Sequence, residues 1–363
     1  MSINEIIVYL MVVFIALGAV DRILGNRFGL GEKFEEGIMA MGSLALAMIG
    51  IICLAPVLAN LLRPVVVPLY QALGADPAMF AGTLLANDMG GAPLAQELAL
   101  TQEAGQFGGL IVGSMLGPTI VFTIPVGLGI IKAEDRPYLA TGVLAGVITI
   151  PIGSFAGGLA AGFPVGMVLR NLIPIALFAV LIALGLAFLP NGMVKGFQVF
   201  GRIIVIIITI GLAAAIIQKL TPLTLIPGMN PISEGVAIVG DIAVVLAGAF
   251  PLVYVITRVF KTPLMKLGHV LGMNDIAAAG LVATLANNIP MFQMLHDMDR
   301  RGKIINVAFA VSAAFVFGDH LGFTAGFDST MIFPMIVGKL VGGVTAVAVA
   351  MLITRKYKEE RHG

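Results

Sequence analysis

Tryptophan is absent from the 363-residue sequence, cysteine occurs once, and only 11% of residues are charged, 21 basic and 20 acidic. Each shortage excludes something. Without tryptophan there is no Trp-built cage for a quaternary ammonium. The single cysteine, Cys53, cannot close an internal disulfide, and inside an apolar run it reads as packing. A soluble protein needs about a quarter of its residues charged to solvate its surface. The charges here are too few for a soluble enzyme or a disordered scaffold. A net charge of +1 argues against a polyanion, so no nucleic-acid partner is expected. What the chain has is apolar residues, 59% of the total, with a mean hydropathy of +1.04. That composition describes an all-α polytopic membrane protein whose main surroundings are the lipid bilayer.

Residues 6–20 are apolar, but Glu5 precedes them and neither a basic cluster nor a small-residue cleavage site flanks them. The segment therefore reads as a retained span and not a cleaved signal peptide. A bilayer core takes about 20 apolar residues in helical form. Runs that qualify are 5–24, 37–62, 107–131, 138–160, 165–190, 199–217, 235–257, 304–327 and 331–353. Two further stretches, 77–100 and 275–297, are broken in the middle, by Asn87-Asp88-Met89-Gly90-Gly91-Ala92-Pro93 and by Asn287-Asn288-Ile289-Pro290. Glycine and proline uncouple the helical ladder there, and an uncoupled backbone survives at membrane depth only when buried in protein or lining a cavity.

The two breaks match each other. Ala86-Asn87-Asp88 corresponds to Ala286-Asn287-Asn288 at an offset of 200. Upstream, Gly37, Gly42 and Gly50 match Gly235, Gly240 and Gly248 at 198, as do Leu73-Gly74 with Asp76 and Leu271-Gly272 with Asn274. Pro56, Arg63 and Pro68 match Pro251, Arg258 and Pro263 at 195, and Gly117, Phe122 and Thr123 match Gly318, Phe323 and Thr324 at 201. An ordered series of this kind predicts a duplication: a first repeat over 1–160, a linking span over 161–198, and a second repeat over 199–363.

Lysine and arginine favour the cytoplasmic side. If the broken stretches are full spans, eleven in all, 12 basic residues fall inside and 8 outside. If each is a re-entrant hairpin, leaving nine spans, only Arg63, Arg170 and Lys219 fall outside and 17 fall inside, with Lys339 within a span. The hairpin arrangement is therefore expected, with the N-terminus outside and the C-terminal tail cytoplasmic. It makes the repeats inverted, since five full spans separate their starts. Opposed broken elements meeting near the midplane are a common way for secondary transporters to build a site.

An ionisable group inside a span is costly and needs a reason. Asp88 lies at the first hairpin tip beside Asn87. Asp319 and His320 lie in Phe317-Gly318-Asp319-His320-Leu321-Gly322, the counterpart of a break expected at Gly117-Pro118-Thr119. With Asn287 and Asn288 these make an acidic, amide-rich site that suits a small primary ammonium bearing a hydroxyl. Gln96 and Gln293, three residues past the two prolines, are candidates for bonds to the tips, and Asp241 is a further candidate. His320 beside an aspartate is placed to couple transport to protons. No metal or organic cofactor is called for; coupling to H+, to Na+ or to neither stays open. Against these readings stand plainer ones. The asparagines cap half-helices, Asp319 and His320 form a loop pair beyond a span ending at Phe317, and Asp241 is solvated near an interface. Lys339 reads as a snorkelling side chain between packing glycines. His269, His296 and His362 read as solvated surface.

Gly240-Asp241 and Gly318-Asp319 bring intramembrane aspartyl proteases into consideration, but the flanking residues of that chemistry are missing, and no His-Glu-x-x-His or Gly-x-Ser-x-Gly is present. An enzyme is not expected. Residues 84–98 (LLANDMGGAPLAQEL), 285–293 (LANNIPMFQ) and 317–325 (FGDHLGFTA) resemble the ethanolamine-utilisation permease family, and the similarity runs from the first span to Arg355. The resemblance implies a transporter importing ethanolamine across the bacterial inner membrane. Another small amine, or a nucleoside, on the same scaffold is the alternative. A homo-oligomer, a dimer first of all, is the expected assembly.

Overall fold

A computed structural model describes residues 1–355, except the side chains at 190, 191, 194, 260, 264 and 269. The C-terminal tail with His362, and the side chain of His269, lie outside the described residues. Among the described residues the chain is all helical, with no strand. In chain order the elements are α1 (Ile3–Ile23), α2 (Leu30–Ala72), α3 (Ala78–Leu84), α4 (Gly91–Leu98), α5 (Gln102–Ile130), α6 (Ala133–Ala160) and α7 (Val165–Phe188). There follow α8 (Pro190–Leu220), α9 (Ile232–Val270), α10 (Asp275–Ala286), α11 (Ile289–Met294), α12 (Arg300–Ala313), α13 (Asp319–Phe327) and α14 (Ile332–Ile353). Eight helical segments are long and apolar enough to cross a membrane: α1, α2, α5, α6, α7, the Lys195–Leu220 part of α8, the Ile232–Val259 part of α9, and Ser329–Ile353. The chain is a multi-pass membrane protein.

The run expected to span over 304–327 is split. Helix α12 stops at Ala313, Phe315 takes a left-handed backbone (φ 64°), and α13 begins at Asp319. The counterpart run, α5, carries two π-helical turns, Phe107–Ile111 and Thr119–Thr123, with a 3₁₀ turn over Val112–Ser114 between them. Such turns loosen the ladder and free backbone groups, which is tolerated because this segment lies in the protein interior.

Both polar breaks are hairpins. In the first, the Asp76 carboxylate accepts from Ala78 N at 2.9 Å and from Leu100 N at 3.0 Å, so the two ends of 77–100 meet. In the second, the Asn274 amide donates to the Asp297 carbonyl at 3.0 Å, and Asn274 N donates to the Asp299 carboxylate at 2.8 Å. Each base is entered through a glycine in the left-handed region, Gly74 (φ 72°) and Gly272 (φ 76°), where a side chain would be strained.

Helices α2 and α9 hold 43 and 39 residues, about 60 Å each at 1.5 Å per residue, twice the hydrocarbon thickness. They cross antiparallel. A Cβ on Gly37 would stand 2.5 Å from Ala247 N, and one on Gly235 would stand 3.0 Å from Ile49 Cγ2. Helix α8 packs on α2 beside Gly50, and α1 packs on α9 beside Gly248. The hairpins, α5, α6 and α12–α14 pack together as a second group.

Candidate transport site

The hairpin tips meet the broken helices. The first tip, Asn87–Met89, packs against α13, and Gly117 lies so close to it that a Cβ there would stand 2.6 Å from Ala86 N. The second tip reaches α5: Asn288 Nδ2 donates to Thr123 Oγ1 at 3.1 Å. Beside it, Phe315 N and Phe317 N donate to the carbonyls of Thr284 and Leu285 at 3.2 and 2.9 Å, so the 314–318 break spends its backbone donors on the second hairpin.

Between these elements runs a polar chain. Lys339, on α14, is 1% exposed, and its ammonium donates to the Ser114 carbonyl and to His320 Nδ1, the latter at 3.0 Å. The other ring nitrogen, Nε2, stands 4.0 Å from Asp88 Oδ1. Lys339, His320 and Asp88 thus bring α14, α13 and the first hairpin together, with a hydrogen bond only between the first two. The His320 ring also lies 5.1 Å from that of Phe315, centroid to centroid. Burial of His320 at 2% overturns the loop-pair reading of Asp319 and His320. The snorkelling reading of Lys339 is corrected too. Its glycine neighbours bring α6 close, with Gly338 within 3.1 Å of the Gly153 carbonyl measured from a Cβ, and that packing turns the lysine inward.

Asn87 is fully buried, and neither atom of its side-chain amide has a hydrogen-bond partner. Asn288 Oδ1, Thr284 Oγ1 and Thr324 Oγ1 are likewise buried without partners. An unmet buried amide is costly, and such groups at both tips leave donors and acceptors there without a protein partner. Asn287 is half-buried and its oxygen accepts from Ile289 N at 2.8 Å, so the capping reading holds for that atom. Asn287 and Asp319 both line a cavity of about 310 Å³ that extends to Lys33 and Glu36 at the start of α2.

Three expected residues are elsewhere. Gln96 and Gln293 are exposed on the outer faces of the short return helices. Asp241 is exposed on α9, away from the tips. Among the histidines, His296 is only partly solvated and bonds Asp135 through Nδ1 at 3.1 Å. Asp135 also takes the Lys303 ammonium, which ties the start of α6 to α12.

The ethanolamine utilisation protein family, EutH, matches residues 3–353. The chain belongs to that family. It is 72% identical to the probable ethanolamine permease EutH of Listeria monocytogenes over 98% of this chain and 95% of the relative. It is 55% identical to the protein of the same name from Escherichia coli, over 98% of this chain and 97% of the relative. An uncharacterised Bacillus subtilis protein, YxeR, is 52% identical over 98% of this chain and 96% of its own length. No solved structure matches. Family membership agrees with the resemblance carried by the two tips and the 317–325 motif, the segments that converge here.

Proposed function

We propose that this chain is a secondary transporter that carries ethanolamine, as its ammonium ion, across the bacterial inner membrane by alternating access. Two relatives are named probable ethanolamine permeases, which supports the substrate. The observation that carries the reading is the set of ionisable groups gathered where the first tip packs on α13. Asp88 and Asp319 contribute two carboxylates, and the buried Lys339 supplies one ammonium. With both carboxylates ionised and the lysine protonated, the site would carry one negative charge, a match for a single monovalent cation. The ammonium sits between Asp88 and Asp319, and the hydroxyl is held by the unmet amide of Asn87 or Asn288. His320 stands between Lys339 and Asp88, so the charge of either acts on the imidazole.

Alternating access rests on inverted repeats. Several pairings support the duplication. Gly37 on Ala247 mirrors Gly235 on Ile49, Gly117 against the first tip mirrors Gly318 against the second, and Asp76 and Asn274 close equivalent hairpins. The linking span over 161–198 takes in α7, and the second copy, from 199, opens within α8. The cavity beside Asp319 extends toward the α1–α2 turn, the end rich in Arg22, Arg27 and Lys33, so this conformation corresponds to an inward-facing carrier. In the test, Asp319→Asn abolishes uptake of labelled ethanolamine at micromolar concentration with membrane expression intact. Normal uptake by that variant overturns the site. Competition with serinol and choline measures how closely the pocket fits a primary ammonium.

A further inference from the structure

Asp241 has no hydrogen bond or ion pair among the described residues, and it faces outward from a membrane-spanning helix. Its depth follows from the crossing of α2 and α9. Gly37 meets Ala247 and Gly235 meets Ile49, and the repeat offset of 198 carries one pair onto the other. The position that maps onto its own crossing partner is residue 43, opposite 241. For inverted repeats that point lies on the pseudo-two-fold axis, in the membrane plane at mid-depth. An acid at that depth facing lipid is costly and calls for a cover.

The surrounding face is open and apolar. Gly42 and Gly240 have nothing within 4 Å of a Cβ, and Met39, Leu46, Val236 and Val244 are 71%, 69%, 53% and 57% exposed. Helices α1 and α8 pack at Gly248 and Gly50, either side of the crossing, and leave its centre uncovered. Ser43 is exposed there, with its hydroxyl donating only to the Ala40 carbonyl of its own helix at 2.9 Å.

We propose that this face is the contact between two copies of this chain, related by a two-fold axis along the bilayer normal. Copies inserted in the same direction can pair in a closed dimer only about such an axis. That operation sets Ser43 of one copy opposite Asp241 of the other, twice. The hydroxyl then donates to the carboxylate, while the paired glycines let the backbones approach. The self-complementarity follows from the near-symmetric placement of 43 and 241 about the pseudo-axis, and it is what favours a second copy over a different protein. The mid-depth placement rests on the inverted-repeat reading of the transporter.

The experiment uses the full chain in native membranes in a Cys53→Ser background. Copies carrying Ser43→Cys and copies carrying Asp241→Cys are given different tags, co-expressed and oxidised. A mixed disulfide bearing both tags is expected, severalfold above a control pair with Leu181→Cys on the exposed face of α7. Yield no greater than the control overturns the dimer. The unsubstituted chain in nanodiscs is weighed in parallel, and a monomeric mass also overturns the proposal. Labelling of Asp241→Cys by a water-soluble maleimide would overturn the mid-depth placement and the inverted-repeat reading with it. An unlabelled, uncross-linked Asp241→Cys overturns only the dimer, because a lipid or another protein then provides the cover.

Discussion

Replacing Gly117 by alanine adds a single methyl group at the point where α5 touches the first hairpin tip. That methyl would stand 2.6 Å from Ala86 N, and closer still to the Leu85 carbonyl. Ordinary contact begins near 3.4 Å, so the tip must retreat by at least about 0.8 Å, and the obstructing atoms are backbone, which cannot swing aside. Leu85 and Ala86 lead directly into Asn87 and Asp88, so the retreat is handed to the site. Overpacking of this kind costs about 1–3 kcal/mol. At 1.4 kcal/mol per tenfold, that cost falling on the bound geometry weakens apparent affinity by about 5-fold to about 150-fold. Gly318→Ala, close to the Ala286 carbonyl on the second tip, acts in the same direction. Gly129→Ala on α5 is the control, since nothing lies within 4 Å of its Cβ. Concentration-dependent uptake of labelled ethanolamine, normalised to membrane expression, measures all three. If Gly117→Ala shows the KM and maximal rate of the Gly129→Ala control, the tip contact does not set the site geometry and the reasoning fails.

Lys339→Met strips His320 Nδ1 and the Ser114 carbonyl of their donor, at about 1–3 kcal/mol for each buried group left unmet, and uptake falls sharply. Combining it with Asp88→Asn should cost little more than either change alone, because the two act through His320; fully additive losses argue that they are unconnected. Lys303→Met leaves the Asp135 carboxylate, 1% exposed, without its main partner and lowers stability by about 3–5 kcal/mol, read as an earlier thermal melt in detergent. An unchanged melt means the pair is dispensable. In a Cys53→Ser background, Gln96→Cys is modified by an impermeant thiol reagent on intact cells and Gln293→Cys only after permeabilisation. The same response from both positions contradicts opposed hairpins.

Much of this arrangement was legible because the membrane restricts what a backbone can do. An Asn-Asp or Asn-Asn pair followed by proline inside an otherwise apolar run leaves few choices, and the distribution of basic residues favours hairpins. The matched breaks at Gly117 and Gly318 also read correctly, since glycine there serves close approach to a tip. Side-chain facing was the harder part. Gln96, Gln293 and Asp241 have site-like positions in the sequence, yet each points outward, because on a helix a rotation of one residue exchanges interior for surface. Lys339 failed for the opposite reason. Gly338 and Gly342 were read rightly as packing residues, but tight packing of α14 on α6 is what closes the outward route for the lysine stem. The unmet amide of Asn87 has no signature in sequence, because it depends on which neighbours stay away.

The lysine built into the site has an electrical consequence. On the charge count and alternating-access mechanism proposed above, bound ethanolammonium would leave two carboxylates against two ammonium groups, and the loaded site would cross the membrane without net charge. Empty, it carries one negative charge. A bacterial membrane held about 100 mV negative inside acts on one full charge with about 2.3 kcal/mol. It therefore leaves the inward step untouched and drives the vacant carrier back toward the outer face. Voltage is spent on resetting the carrier, so clamping the potential should alter the turnover of net uptake far more than exchange of labelled for unlabelled ethanolamine.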